Sequence, residues 1–103
     1  MRCGFLGNWK LRIETDLARF ETHVEEVYTV LKEARPTAVD PVNAMNQVRA
    51  QLAAGTTVAE RQALALQAAE AFAEEDVAHC SALGRHGAPL IREGMRVLTH
   101  CNA

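Results

Sequence analysis

The chain is poor in aromatic residues. Its 103 residues include one tryptophan, one tyrosine and three phenylalanines, 5% in all. Alanine and leucine dominate instead, so helix is the default expectation. No basic block stands out and the net charge is -2, so nothing points to nucleic acid as a partner. The three cysteines, Cys3, Cys80 and Cys101, are odd in number and widely spaced. They do not form a disulfide framework, and their use fits a reducing, cytoplasmic setting. No apolar run approaches the roughly 20 residues of a membrane span, and the first residues lack the apolar core of a signal peptide. There are no internal repeats and no low-complexity tract beyond the alanine bias. What remains is a composition 49% apolar and 23% charged, in a chain long enough for one domain with one modest core.

Two glycines within the first seven residues argue against helix there. From about Trp9 an apolar stripe begins: Ile13, Leu17, Phe20, Val24, Val27 and Leu31 step by three or four. The spacing predicts a bundle helix over 9–34, with His23 at the edge of its stripe and Pro36 closing it. A second helix is predicted over 40–54. Either Asp40 or Thr37 supplies its N-cap; with Asp40, Pro41 falls at the first helical position. Val42, Met45, Val48 and Leu52 form its apolar face, Arg49 falls off that stripe toward solvent, and Gly55 is read as a C′ residue. Thr57-Val58-Ala59-Glu60 is a capping box. It opens a third helix predicted over 58–83 and ending at Gly84, with a break at Arg85-His86-Gly87. Ala88 to Arg92 are expected to make one or two turns, with Pro89 near the start.

The last stretch reads differently. After Gly94, Val97, Leu98 and Thr99 make a short β-favouring run that ends in the polar cluster His100-Cys101-Asn102. A strand needs a partner for its backbone groups, and no earlier segment reads as one. Residues 95–103 are therefore expected to begin a second, α/β domain, after a helical domain over 1–94. Ligands in such domains sit at the carboxyl ends of strands, which makes Cys101 a candidate site. By residue type alone Cys101 reads more simply as a buried inert thiol, and Arg35 as a surface charge at a helix end. Adjacent strand residues face opposite ways, so His100 and Cys101 do not form a pair. Glu75 and His79, four apart on one helix face with Cys80 alongside, fall short of a converging zinc set. They read as part of a solvated acidic patch, and no metal or cofactor is expected.

Arg96 to Ala103 resembles the catalytic-cysteine segment of the methylthioribose-1-phosphate isomerases. Arg35-Pro36-Thr37-Ala38-Val39 is similar to a second motif of that family, although the family carries an apolar residue where Pro41 stands. Glu74 to Ala78 and Gly84 to Ala88 fill the interval in the family's order. The superfamily also contains ribose-1,5-bisphosphate isomerases and regulatory subunits of translation initiation factor 2B, which generally lack this cysteine.

The resemblance implies a mainly α chain, the helical N-terminal part of an enzyme whose Rossmann-like domain starts near residue 95 and is missing here. It implies conversion of methylthioribose 1-phosphate to methylthioribulose 1-phosphate in methionine salvage. Cys101 would work with an aspartate beyond residue 103, and Arg35 would contact the substrate phosphate. The family's upstream Arg-Gly-Ala segment has no match in residues 1–30. A cytoplasmic homo-oligomer acting on a sugar phosphate is expected, with the chain inactive alone. Two other readings stand beside this one: a ribose-1,5-bisphosphate-type isomerase fragment, and a non-catalytic helical interaction module.

Overall fold

The computed structural model describes residues 16–100. Expectations that fall on residues 1–15 and 101–103, Cys101 among them, lie outside that range.

Helix α1 runs Leu17–Ala34. Asp16 caps it by accepting a hydrogen bond from the Arg19 amide at 3.0 Å, which satisfies one of the donors a helix start leaves open. The helix starts at Leu17, not near Trp9, because Asp16 is an extended N-cap. From there the apolar stripe behaves as its spacing demands, with Phe20 and Val24 buried and Leu17, Val27 and Leu31 half-buried, while Ile13 lies outside the described residues. Arg35 leaves helical geometry at φ -141° and ψ 73°, because Pro36 disfavours α conformation in the residue before it. The Ala38 amide then donates to the Arg35 carbonyl at 3.1 Å, closing a tight turn with Pro36 at its second position.

Helix α2 runs Asp40–Leu52. Its N-cap is Val39, without a side-chain bond, so neither Asp40 nor Thr37 is the cap that the sequence suggested. The Val39 carbonyl already accepts from the Asn43 amide at 3.0 Å, so the helical ladder starts one residue earlier. Asp40 then lies in the first turn, where its charge suits the helix dipole. Pro41 still falls where a missing N–H costs nothing. At the other end Gly55 is no left-handed C′ residue; among the described glycines only Gly94 has positive φ. Gly55 is buried, and a Cβ there would lie 2.8 Å from the Arg61 Cγ and 2.9 Å from the Arg61 amide nitrogen. Space, not backbone conformation, requires the glycine.

Helix α3 runs Val58–Gly87, 30 residues. Its capping box is complete: the Thr57 hydroxyl accepts from the Glu60 amide at 3.2 Å and the Glu60 carboxylate accepts from the Thr57 amide at 3.2 Å. The helix does not stop at Gly84 and there is no break at Arg85-His86. An interior glycine costs only about 1 kcal/mol relative to alanine, too little to end a long helix. Pro89 has no amide to offer and ends it outright. A 3-10 turn, Ala88–Leu90, follows, then a turn over Arg92–Met95 in which Gly94 takes φ +82°.

Among the described residues there is no strand. Val97 and Leu98 are exposed, Leu98 at 96%, and the run over 97–99 has no strand to pair with among the described residues. The core consists of Phe20, Val24, Leu52 and Val58, with Leu17, Val48 and Ala65 packed against it. It joins the first half of α1 to the end of α2 and the start of α3. The α1–α2 turn stands at one end of α2 and the α2–α3 connection at the other.

Candidate functional site

Arg35 caps α1 at the head of the α1–α2 turn and is exposed. The turn that carries it is a product of local sequence: a helix that Pro36 must end, and a second that begins five residues later. An exposed guanidinium at such a corner is free in space to receive a ligand's anionic oxygens through two parallel bonds. Cys101, the other candidate, lies outside the described residues.

Two further arginines bridge the helices. Arg49 was expected to face solvent because it falls off the apolar stripe of α2. Instead its guanidinium lies over the Tyr28 ring, 4.4 Å from the centroid, and pairs with Glu25 on α1. The Tyr28 hydroxyl donates to the Asn46 side-chain carbonyl at 3.0 Å, again from α1 to α2. Arg61, with only 13% of its side chain exposed, donates through Nε to the Gly55 carbonyl at 2.9 Å and through Nη1 to Glu21 at 2.7 Å. A guanidinium so nearly buried must have its donors met, and the loop carbonyl and the α1 carboxylate meet two of them. The signal for both was present: Glu21 and Glu25 stand four apart on one side of α1, offering a row of carboxylates to cations on the neighbouring helices.

These residues border a cleft of about 460 Å³ between the three helices. Glu21 and Glu25 supply one rim, Arg49 and Arg61 the other, and Val24 and Leu52 contribute apolar surface. Its charges are matched pairwise, so it is a seam between helices.

The acidic stretch of α3 gathers no metal site. Glu75 and His79 approach to 3.8 Å, Cys80 is exposed, and among the described residues no three histidine, cysteine or acidic side chains converge. His23 is half-buried, with Nδ1 3.2 Å from the Glu26 carboxylate. At the α3 start the Glu60 carboxyl is held below its ordinary value, chiefly by the Thr56 hydroxyl at 2.7 Å and then by the amides of Thr56 and Thr57. No helix among the described residues is long and apolar enough to cross a membrane.

The family model of the initiation factor 2 subunit family matches residues 6–103, a span that takes in both Arg35 and Cys101. The chain belongs to that family. Its relatives within it include the 5-deoxyribose 1-phosphate isomerase of Moorella thermoacetica, 42% identical over 90 residues. That match covers 85% of this chain and 26% of the relative. The methylthioribose-1-phosphate isomerase of Geobacter metallireducens is 44% identical over 87 residues, 82% of this chain and 25% of that enzyme. A methylthioribose-1-phosphate isomerase from Gemmatimonas aurantiaca is 45% identical over 73 residues, 71% of this chain and 21% of the relative. The chain thus spans about a quarter of the length of the curated family members it matches. No solved structure matches it. These relatives are named as sugar-phosphate isomerases.

Proposed function

We propose that this chain is the helical N-terminal part of an aldose-ketose isomerase acting on a sugar 1-phosphate, with methylthioribose 1-phosphate as the substrate in methionine salvage. The observation that carries the reading is the 40% and higher identity to enzymes of that activity over most of the chain. In this reading Arg35 grips the phosphate and Cys101 takes part in proton transfer. The phosphate on the anomeric carbon blocks simple ring opening. The reaction therefore has to break the C1–ring oxygen bond, move hydrogen from C2 to C1 and convert the C2 hydroxyl to a carbonyl. Phosphate stays on C1, and no oxidant or reductant is consumed. Cys101 needs a second acid–base group, an aspartate from the part of the relatives that the match does not cover. Alone, the chain is then inactive. The Moorella relative supports a second substrate reading, 5-deoxyribose 1-phosphate.

The test is a chimera in which residues 1–103 replace the corresponding segment of the Geobacter enzyme, assayed with both sugar phosphates. Isomerisation should persist, fall below detection with Cys101→Ser and show a raised KM with Arg35→Ala. A folded chimera that turns over neither substrate would overturn the reading. Turnover by the 103-residue chain alone would overturn the assignment of the partner group.

A further inference from the structure

The Arg35 turn stands away from the core. On α1 the buried residue nearest the turn is Val24, and on α2 the buried residue is Leu52, at the helix's far end. Between Val24 and Arg35 lie about three turns of helix, roughly 16 Å, over which a pivot of about 5° about the core would move the turn by about 1.4 Å. A displacement of that size at a binding group costs on the order of 10²-fold in rate. A group that must meet phosphate oxygens bidentately needs the hairpin angle fixed nearer its tip.

Beside the half-buried Val27 and Leu31, a set of polar contacts crosses the hairpin in that interval. The Tyr28 ring lies against the Arg49 guanidinium at 4.4 Å, the Tyr28 hydroxyl donates to Asn46 at 3.0 Å, and Arg49 pairs with Glu25. Tyr28 and Asn46 each sit about two turns from the helix end that borders the turn. Arg49 and Glu25 are substantially exposed, so the ion pair by itself adds little to stability. As a set, however, the contacts are directional. A ring under a planar cation, a hydroxyl aimed at an amide oxygen and a charge pair fix distance and rotation together.

We propose that Glu25, Tyr28, Asn46 and Arg49 form a brace that sets the α1–α2 angle and so holds Arg35 in place to receive a phosphate group. They are positioning residues that do not touch the ligand, and the inference rests on the reading of Arg35 given above. Its purely structural half, the fixing of the turn, can be measured independently of that reading.

Amide hydrogen exchange on the 103-residue chain reports the turn through Ala38, whose amide is bonded to the Arg35 carbonyl. Titration with inorganic phosphate, followed at the Arg35 Nε–H resonance, reports the ligand. Arg49→Gln and Tyr28→Leu should speed Ala38 exchange about fivefold, the worth of one lost hydrogen bond. They should weaken phosphate at Arg35 by a similar factor, while the Val24 and Leu52 amides keep their protection. Arg49→Lys, which keeps the charge facing Glu25, should recover part of the loss. Tyr28→Phe keeps the ring and removes only the hydroxyl, so it gives a smaller effect of the same sign and guards against a variant that fails to fold. The brace is overturned if Ala38 exchange is unchanged in Arg49→Gln and Tyr28→Phe. It is equally overturned if Val24 and Leu52 lose protection in step with Ala38, which would mean general destabilisation. If phosphate leaves the wild-type Arg35 resonance unmoved, the ligand reading of Arg35 falls, and Ala38 exchange alone decides the brace.

Discussion

The first half of the chain and the second solve different problems. Leu17 to Ala68 contains every fully buried apolar side chain among the described residues, and all the ion pairs and side-chain hydrogen bonds noted above between different helices. From Ala69 onward the same kinds of residue lie open: Val77 is 66% exposed, Leu83 72%, Leu90 74% and Leu98 96%. Composition does not separate the halves. The difference is whether a second element faces the apolar row. In the first half three helices enclose Phe20; in the second, α3 outruns α2, and beyond the half-buried Phe72 its large apolar residues Val77 and Leu83 lie open among the described residues. Helicity there is kept by local bonding, alanine content and the pull of a well-capped start.

Substitutions should therefore fall steeply in cost from one half to the other. The largest effect belongs to Phe20, whose side chain is fully buried at the meeting point of the helices. Phe20→Ala should cost about 3–5 kcal/mol, a large share of the roughly 5–15 kcal/mol that a whole domain has. Urea unfolding followed by circular dichroism would show it; a cost equal to that of Leu98→Ser would break the comparison. Gly55→Ala comes next. Its new methyl meets the Arg61 backbone as well as the flexible side chain, so the α2–α3 connection must shift, at a cost of about 1–3 kcal/mol. The thermal midpoint should fall, and the Arg61–Glu21 pair should loosen with it.

The capping box is a smaller and more local matter. Thr57→Ala removes the acceptor for the Glu60 amide and should cost about 1 kcal/mol. Glu60 adds a pH signature. Its carboxyl is held below its ordinary value by the Thr56 hydroxyl and the two loop amides, which favour the charged form. The folded value is the lower one, so the stabilisation is present above the unfolded carboxylate range. It is lost as pH falls through the folded value. Acid titration of stability should therefore be shallower in Glu60→Gln than in the parent, and a parallel pair of curves would remove Glu60 from the acid response.

Much of this was legible in the residues. The apolar stripe of α1, the stop at Pro36 and the capping box all rest on interactions within a few positions of one another, and the chain behaves as those rules demand. What was not legible depended on neighbours distant in sequence. Arg49 lies off the apolar face of α2, and only the arrival of Tyr28 and Glu25 from α1 turns an outward residue into a cross-link. Gly55 is a glycine because of Arg61, not because of its own backbone angles. Gly84 was overvalued as a stop because the cost of one interior glycine is small against the length of helix around it. The β-favouring run at Val97–Thr99 has the right residues, but a strand exists only with a partner. At the candidate site, Arg35 stands where its motif put it, at the head of a turn.

The smallest effect on stability should come from the exposed apolar row itself, and it sharpens the comparison most. Leu98→Ser changes a side chain that makes almost no contact with the described residues, so the unfolding midpoint should move by less than about 0.5 kcal/mol. Association should respond differently. Leu90, Ile91, Met95, Val97 and Leu98 are exposed along a segment whose backbone bonds, among the described residues, are local turns, and such a segment invites pairing with another chain. Pairing has to offset an ordering cost of about 1–2 kcal/mol per residue, and apolar burial of a leucine or valine returns about 1.5–3 kcal/mol. The balance is close enough for concentration to decide it. Light scattering should rise with concentration for the parent chain and less so for a Val97→Ser, Leu98→Ser double variant of equal thermal stability. A variant that associates unchanged would move the interface elsewhere. A variant that unfolds with Phe20→Ala would show that the two halves are one cooperative unit after all.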